Sequence, residues 1–323
     1  MKMNILIPLI LMGSLALMSC EQELEVPLPE HQPKLVANCL VRTGEVFQVF
    51  VSRSFGLNEN VNEPDIYLPD ARVELWRDGQ LEEVLQLKQG DTVGVATFES
   101  RTDYGYYSEH LARPATQYQL IVSHPDYPEL KQEMVMPSLP QVSAFEYSLE
   151  VGIDENGDRI QQLRASLQDP PDTLNHYRLV GRYYERSLDT SLTRFPFRSI
   201  KTNWEPLGGA PFEYSTRLGY LLPDADFDGQ LTRLVFEDVF VDYLNLNTPE
   251  ELYEPAYLVV EWQSWNEPAY RLADEYSEHV DSYRVIDLEV LFNSQAPLPM
   301  YSNAEGGFGV FGGYTARRDT IFF

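Results

Sequence analysis

Histidine, cysteine and positive charge are all scarce in this chain of 323 residues. It has 5 histidines and 2 cysteines, and 24 lysines and arginines face 50 aspartates and glutamates, for a formal net charge of -26. Such an acidic balance argues against electrostatic affinity for nucleic acid or anionic lipid headgroups, because both are polyanions. Two cysteines are too few for a disulfide framework. The spacings of a zinc protease (His-Glu-x-x-His), a serine hydrolase (Gly-x-Ser-x-Gly) or a phosphate-cradling glycine loop are missing, so an enzyme reading starts without a motif. Beyond the first twenty residues no apolar run reaches the roughly 20 residues of a membrane-spanning helix.

What is present begins with an export signal. Lys2 precedes an apolar run over 5–17, interrupted by Pro8, and the run ends in Leu17-Met18-Ser19-Cys20 before Glu21-Gln22-Glu23. This reads as a signal peptide over 1–19, not a fold element. The tetrapeptide ending at Cys20 resembles a lipobox, which makes Cys20 the lipidation site; the bland alternative is an ordinary thiol beside a secretory cleavage site. Several acyl chains, at about 0.8 kcal/mol per buried methylene, make a stable anchor. Residues 20–33 carry Glu21, Glu23, Glu25, Pro27, Pro29 and Pro33, the composition of an extended acidic and proline-rich tether. With Cys20 acylated, Cys39 is the one thiol left, and its apolar run over 35–41 predicts a buried strand cysteine and not a reactive one.

The whole chain is 43% hydrophobic and 12% aromatic, enough to bury real cores. Over 34–136, β-branched and aromatic runs at 46–51, 71–76, 81–87, 94–98 and 118–122 alternate with turn signals such as Asp78-Gly79. The pattern predicts an N-terminal immunoglobulin-like or fibronectin-like β-sandwich. Met136-Pro137-Ser138-Leu139-Pro140 marks a boundary. A second β-rich domain is expected over 141–323: a hairpin from 142–151 to 159–167 turns at 154–158, and strands follow at 177–185, 231–240 and 257–262. One amphipathic helix, about 267–283, breaks the pattern. Asn266 is its cap, Pro268 lies in its first turn, and Ala269, Leu272, Ala273, Tyr276, His279, Val280 and Tyr283 fall at helical spacing. The fold class is therefore mainly β.

Longer stretches carry a family resemblance. After the lipobox and tether come Lys34-Leu35-Val36, then Pro69-Asp70-Ala71-Arg72-Val73-Glu74-Leu75 and Pro114-Ala115-Thr116-Gln117-Tyr118-Gln119-Leu120. Near the C-terminus stands Tyr301-Ser302-Asn303-Ala304-Glu305-Gly306-Gly307-Phe308-Gly309-Val310-Phe311-Gly312, the most specific of them. Together they resemble the Bacteroidota surface lipoproteins grouped as domain of unknown function 4249, with Ala115 standing where that family's glycine is expected. The resemblance implies a lipid-anchored outer-membrane protein facing the cell exterior, partnered with a TonB-dependent transporter barrel. Glu21, Glu23 and Glu25 are similar to the signals that direct lipoproteins of this phylum outward.

Candidate chemistry is sparse. Asp224-Ala225-Asp226-Phe227-Asp228-Gly229 places three carboxylates at alternate positions before a glycine, half of a calcium loop. The twelfth position is Val235, not Glu, and a strand follows, although Glu237 or Asp238 offers a further ligand. A plain turn with no metal is the favoured reading, and no cofactor is expected. Asp154, Asn156 and Asp158 form a weaker candidate around a hairpin turn. His31, His110, His124, His176 and His279 are scattered, which favours packing or surface roles. Trp204, Trp262 and Trp265 with the tyrosines offer a sugar-stacking surface, against the favoured reading of half-buried sheet positions. Gly306, Gly307, Phe308, Gly309 and Phe311 read as a loop packed on the second domain, or as a partner contact. The function that fits is a non-catalytic accessory subunit of a transporter. A free-standing adhesin or glycan-binding protein, and a hydrolase with unrecognised carboxylates, are the alternatives.

Overall fold

The computed structural model of the protein describes residues 31–56, 59, 67–89, 104–155, 157, 159–187, 197–202, 205–207, 213–215, 219–225, 227–240, 253–284 and 300–322. The signal peptide, Cys20 and most of the tether lie outside them, as do residues 94–98. Pro33–Ser54 and Asn60–Phe323 form one compact unit, and Met1–Gln32 with Phe55–Glu59 form another. In the smaller unit the Gly56 amide donates to a Glu59 carboxylate oxygen at 3.2 Å. All that follows concerns the larger unit.

Among the described residues its first segment holds eight strands: β1 (Leu35–Arg42), β2 (Val46–Arg53), β3 (Arg72–Arg77), β4 (Gln80–Val84), β5 (Gln86–Gln89), β6 (Tyr104–Leu111), β7 (Gln117–His124) and β8 (Tyr127–Val135). Alternation of side chains places Leu35, Ala37, Cys39 and Val41 of β1, Phe47, Val49 and Val51 of β2, and Tyr118, Leu120 and Val122 of β7 in one apolar cluster. Each such side chain, fully buried, contributes about 1.5–3 kcal/mol of transfer free energy. Asp78 and Gly79, both at positive φ, make the β3–β4 turn that Asp-Gly announces. The expected strand over 81–87 breaks at Leu85, because β4 pairs with β3 in one sheet and β5 with β6 in another. Leu85 turns inward at the crossing, and its amide donates to the Val73 carbonyl at 2.9 Å.

The rest of the chain gives β9 (Gln141–Ile153), β10 (Arg159–Gln168), β11 (His176–Ser187), β12 (Phe197–Thr202), β13 (Glu205–Leu207), β14 (Glu213–Ser215), β15 (Gly219–Pro223), β16 (Leu231–Phe240) and β17 (Tyr253–Trp265). Then come a helix α1 (Glu267–Arg284), β18 (Ala304–Glu305) and β19 (Phe311–Phe322). A five-stranded sheet runs β18-β8-β7-β3-β4 and a four-stranded sheet β13-β16-β10-β9. The largest, of ten strands, runs β14-β15-β11-β17-β19-β1-β2-β6-β5, with β12 beside β11. A second apolar cluster, including Leu163, Tyr177, Tyr183, Phe236, Leu258 and Trp262, fills the space between the four-stranded sheet and this long sheet.

Two features join the segments. β19 lies antiparallel to β17 and parallel to β1, so one continuous sheet crosses the proline-marked stretch at 136–140. Helix α1 starts where the sequence places it: the Asn266 carboxamide oxygen accepts from the Ala269 amide at 3.1 Å, the bond expected of a cap. The same oxygen accepts from Gly313 of β19 at 3.1 Å, and the Asn266 Nδ2 donates to the Val135 carbonyl of β8 at 3.0 Å. Ala269 and Ala273 then pack with Trp265 and Leu221, against partly buried Leu40 and Tyr314. Among the described residues no helix is long and apolar enough to cross a membrane.

Candidate functional site

The glycine-rich stretch packs on the first segment, not on the second domain as the sequence suggested. β1 pairs with β2 along one edge only, and its other edge needs donors and acceptors. Phe308 and Val310 supply them: the Phe308 amide donates to the Leu35 carbonyl at 2.9 Å, Ala37 donates to the Phe308 carbonyl at 2.9 Å, and Cys39 to that of Val310 at 2.8 Å. Such close approach leaves no room for side chains. A β-carbon on Gly307 would be driven into the Leu35 carbonyl oxygen, and one on Gly309, at φ +115°, into that of Ala37. Ser302 ties the turn, its hydroxyl accepting from the Gly309 amide at 3.1 Å and donating to the Gly309 carbonyl at 3.0 Å. Phe311 is fully buried in the first cluster. Phe308 is 44% exposed, with the Lys34 ammonium 5.4 Å from its ring centre.

The acidic pattern forms a buried knot at one end of the second cluster. Asp224 points inward, where one carboxylate oxygen accepts from the Asn175 amide at 2.6 Å; its own amide donates to the Asn175 carbonyl at 3.1 Å. Asp228 accepts from the Asp172 amide at 3.0 Å. Asp226 lies outside the described residues. A fourth carboxylate, Asp169, completes the knot: it accepts from the Tyr177 hydroxyl at 2.5 Å and from the Gly229 amide at 2.9 Å. Burial pushes the Asp224 carboxyl up to about 6, with Asp169 and Asp228 adding like-charge repulsion. Burial raises Asp169 as well. The oxygens are thus occupied by backbone and phenol donors that lock the loop after β10 to the loop before β16. Among the described residues no group of three or more His, Cys, Asp or Glu side chains is arranged to hold a metal. Sequence reasoning missed Asp169, although Asp169-Pro170-Pro171-Asp172 is itself a turn signal.

The other candidates sit apart. Asn156 and Asp158 lie outside the described residues, and Glu237 accepts from the Gln162 carboxamide at 2.7 Å within the four-stranded sheet. His110 reaches Glu83 at 3.0 Å, His124 reaches Asp70 at 3.1 Å, and buried His176 stacks on Tyr270 at 3.8 Å between ring centres. Trp262 and Trp265 are each 2% exposed, so both are core residues with no face for a sugar; Trp204 lies outside the described residues. Cys39 is buried and free, and burial pushes its thiol up to about 12, which leaves it inert at neutral pH.

Among the described residues the chain is a mainly β body whose last strand closes onto its first. The chain matches the family described as "Domain of unknown function (DUF4249)" over residues 21–320, and it belongs to that family. Membership supports the general class of Bacteroidota outer-membrane lipoproteins. No curated protein matches the chain.

Proposed function

We propose that the protein is held on the outer membrane by lipid on Cys20, faces the cell exterior, and serves as a non-catalytic accessory subunit of a TonB-dependent transporter in ligand capture or uptake. The observation that carries this reading is where the family match begins. It starts at residue 21, next to Cys20, so a lipid on that sulfur holds the whole family domain through the acidic tether. The strands of the first segment, arranged in facing sheets about one apolar cluster, support an immunoglobulin-like or fibronectin-like sandwich as the body nearest the anchor.

Cys20→Ala tests the anchor. The expected outcome is uncleaved precursor without palmitate labelling; labelling undiminished in the variant overturns lipidation at Cys20. The partnership is tested separately by pull-down from detergent-solubilised outer membrane. A co-purifying barrel transporter is expected, and its absence from both wild-type pull-downs and cross-linked cells removes the accessory role.

A further inference from the structure

One face of the ten-stranded sheet, outside both described clusters of acids and glycines, gathers positive charge in a chain that has little. β11, β17, β19 and β1 are neighbours, and their registers align Val180, Glu261 and Arg318 in one row and Trp265, Tyr314 and Arg42 in another. Glu261 is the acceptor at the centre. Its Oε2 takes the Arg42 guanidinium and the Arg318 Nε, each at 2.9 Å, and its Oε1 takes the Gln263 carboxamide at 2.7 Å. Both oxygens are engaged. Arg178 stands beside Gln263 in the adjoining row, close enough to sense Glu261 and Tyr314, and its buried Nε has no hydrogen-bond partner among the described residues.

That arrangement is unusual on energetic grounds. A guanidinium presents five donors in a planar fork, and a buried Nε without an acceptor carries an uncompensated desolvation cost. Here burial drives Arg178 down to about 10 despite the help of Glu261. Arg42 and Arg318 share the Glu261 carboxylate, while Arg178 only senses its charge. The row is open at one end, where the Arg318 side chain is 61% exposed, while that of Glu261 is 12% exposed.

We propose that Arg178, Arg42 and Arg318 form an oxyanion-binding site, in which the carboxylate or phosphate group of a ligand takes the fork of Arg178 and competes with Glu261 for Arg42 and Arg318. Planar bidentate recognition of carboxylate and phosphate is the chemistry that arginine performs best. Glu261 acts as the internal anion that holds the two outer arginines in place when the site is empty. The site is independent of the transporter partnership, so a negative pull-down leaves it standing.

The test uses the mature, unlipidated chain with inorganic phosphate and with glucuronate as probes, each against chloride at matched ionic strength. Both probes, or one, are expected to raise the melting temperature and to bind measurably by calorimetry. Arg178→Met is expected to fold at least as stably as the wild type without probe, since it removes a buried donor that has no acceptor, and to bind about tenfold more weakly or worse. Glu261→Gln keeps the shape and removes the competitor, so its affinity is expected to rise. Vesicles containing phosphatidylglycerol separate the sources of the anion: flotation that depends on Arg178 assigns a lipid headgroup, and binding of free probe without flotation assigns a solute. No binding of any probe or vesicle by wild type and Glu261→Gln overturns the site. So does Arg178→Met that is destabilised while binding the probes like wild type, which makes Arg178 a packing residue.

Discussion

The two largest apolar clusters of the larger unit are built by different rules. Among the described residues of the first segment the buried polar ones are Ser108 and Gln132, and the strands bury aliphatic and aromatic side chains at every second position. The second part buries Gln161, Ser166, Asp169, Asn175, His176, Asp224, Gln263, Ser264, Asn266 and Thr315. One region is therefore stabilised mainly by burying apolar area, which needs no particular partner. The other depends on hydrogen bonds whose loss leaves a buried group unsatisfied. The contrast teaches where each half is vulnerable: the first to changes of volume, the second to changes of protonation and of single polar atoms.

The seam between them is where the largest effect is expected. Gly309→Val puts a β-branched side chain at φ +115° and into the Ala37 carbonyl, so β19 can no longer close the edge of β1. A loss of about 3 kcal/mol or more is expected, read as a lowered urea midpoint in which both regions unfold together. Unfolding of the second part alone would show that the regions are energetically separate. A paired comparison inside the clusters comes next. Leu120→Ala in the first should cost about 2–5 kcal/mol through its cavity, equally at pH 5 and pH 8. Tyr177→Phe in the second should cost about 1–3 kcal/mol, because it strips a donor from buried Asp169. A Tyr177→Phe protein as stable as wild type would end the claim that hydrogen bonds specify this end.

Asp224 sharpens the comparison further. Its folded pKa of about 6 lies above the ordinary 3.8, so between those values the folded state binds the extra proton and the unfolded state does not. Stability from the protonated carboxyl is full below about pH 4 and is lost as pH rises through about 6. The difference between wild type and Asp224→Asn should therefore change across that window by on the order of 2 kcal/mol, with Asn relatively better at the neutral end. Parallel stability curves from pH 4 to 7 would refute the assignment. The smallest effect belongs to the first segment. Ala115 sits at φ +49°, the left-handed region, with its amide on the Pro137 carbonyl at 3.1 Å. Ala115→Gly should relieve that strain and gain about 0.5 kcal/mol, the net of lower strain and higher unfolded-chain entropy. A loss of stability would mean that the methyl group packs usefully.

Much of this was legible before folding. The alternation of β1, β2, β3 and β7 announces their buried faces, because a strand exposes its two faces with a period of two whatever it pairs with. Asn266 and the spacing of Ala269, Leu272 and Ala273 announce α1, because a cap and an apolar stripe are local properties of the chain. The turn at Asp228-Gly229 is legible, whereas Asp224, expected to be solvated, is buried because it meets the Asn175 amide. The strands β6 and β8 were not singled out: β8 alternates, but β6 does not and pairs with β2 through a register shift. Asp169 escaped notice because a lone Asp carries no sign of the tyrosine that will meet it.

By itself the sequence determined a mainly β body and one capped helix, which follow from short-range pattern, and a net charge of -26, which follows from composition. Only the tertiary structure decided that a glycine-rich stretch, whose small residues promise a loop, leads into the strand joining β17 to β1. It also decided that Trp262 and Trp265 are core and that Arg42, Arg178, Glu261 and Arg318 share one face. The physical reason is that glycine's value lies in how closely another backbone approaches, and an arginine's in which acceptors stand opposite. Both depend on residues far away in the chain, 57 positions for Arg318 and Glu261 and 219 for Arg42 and Glu261, and no local pattern carries that information.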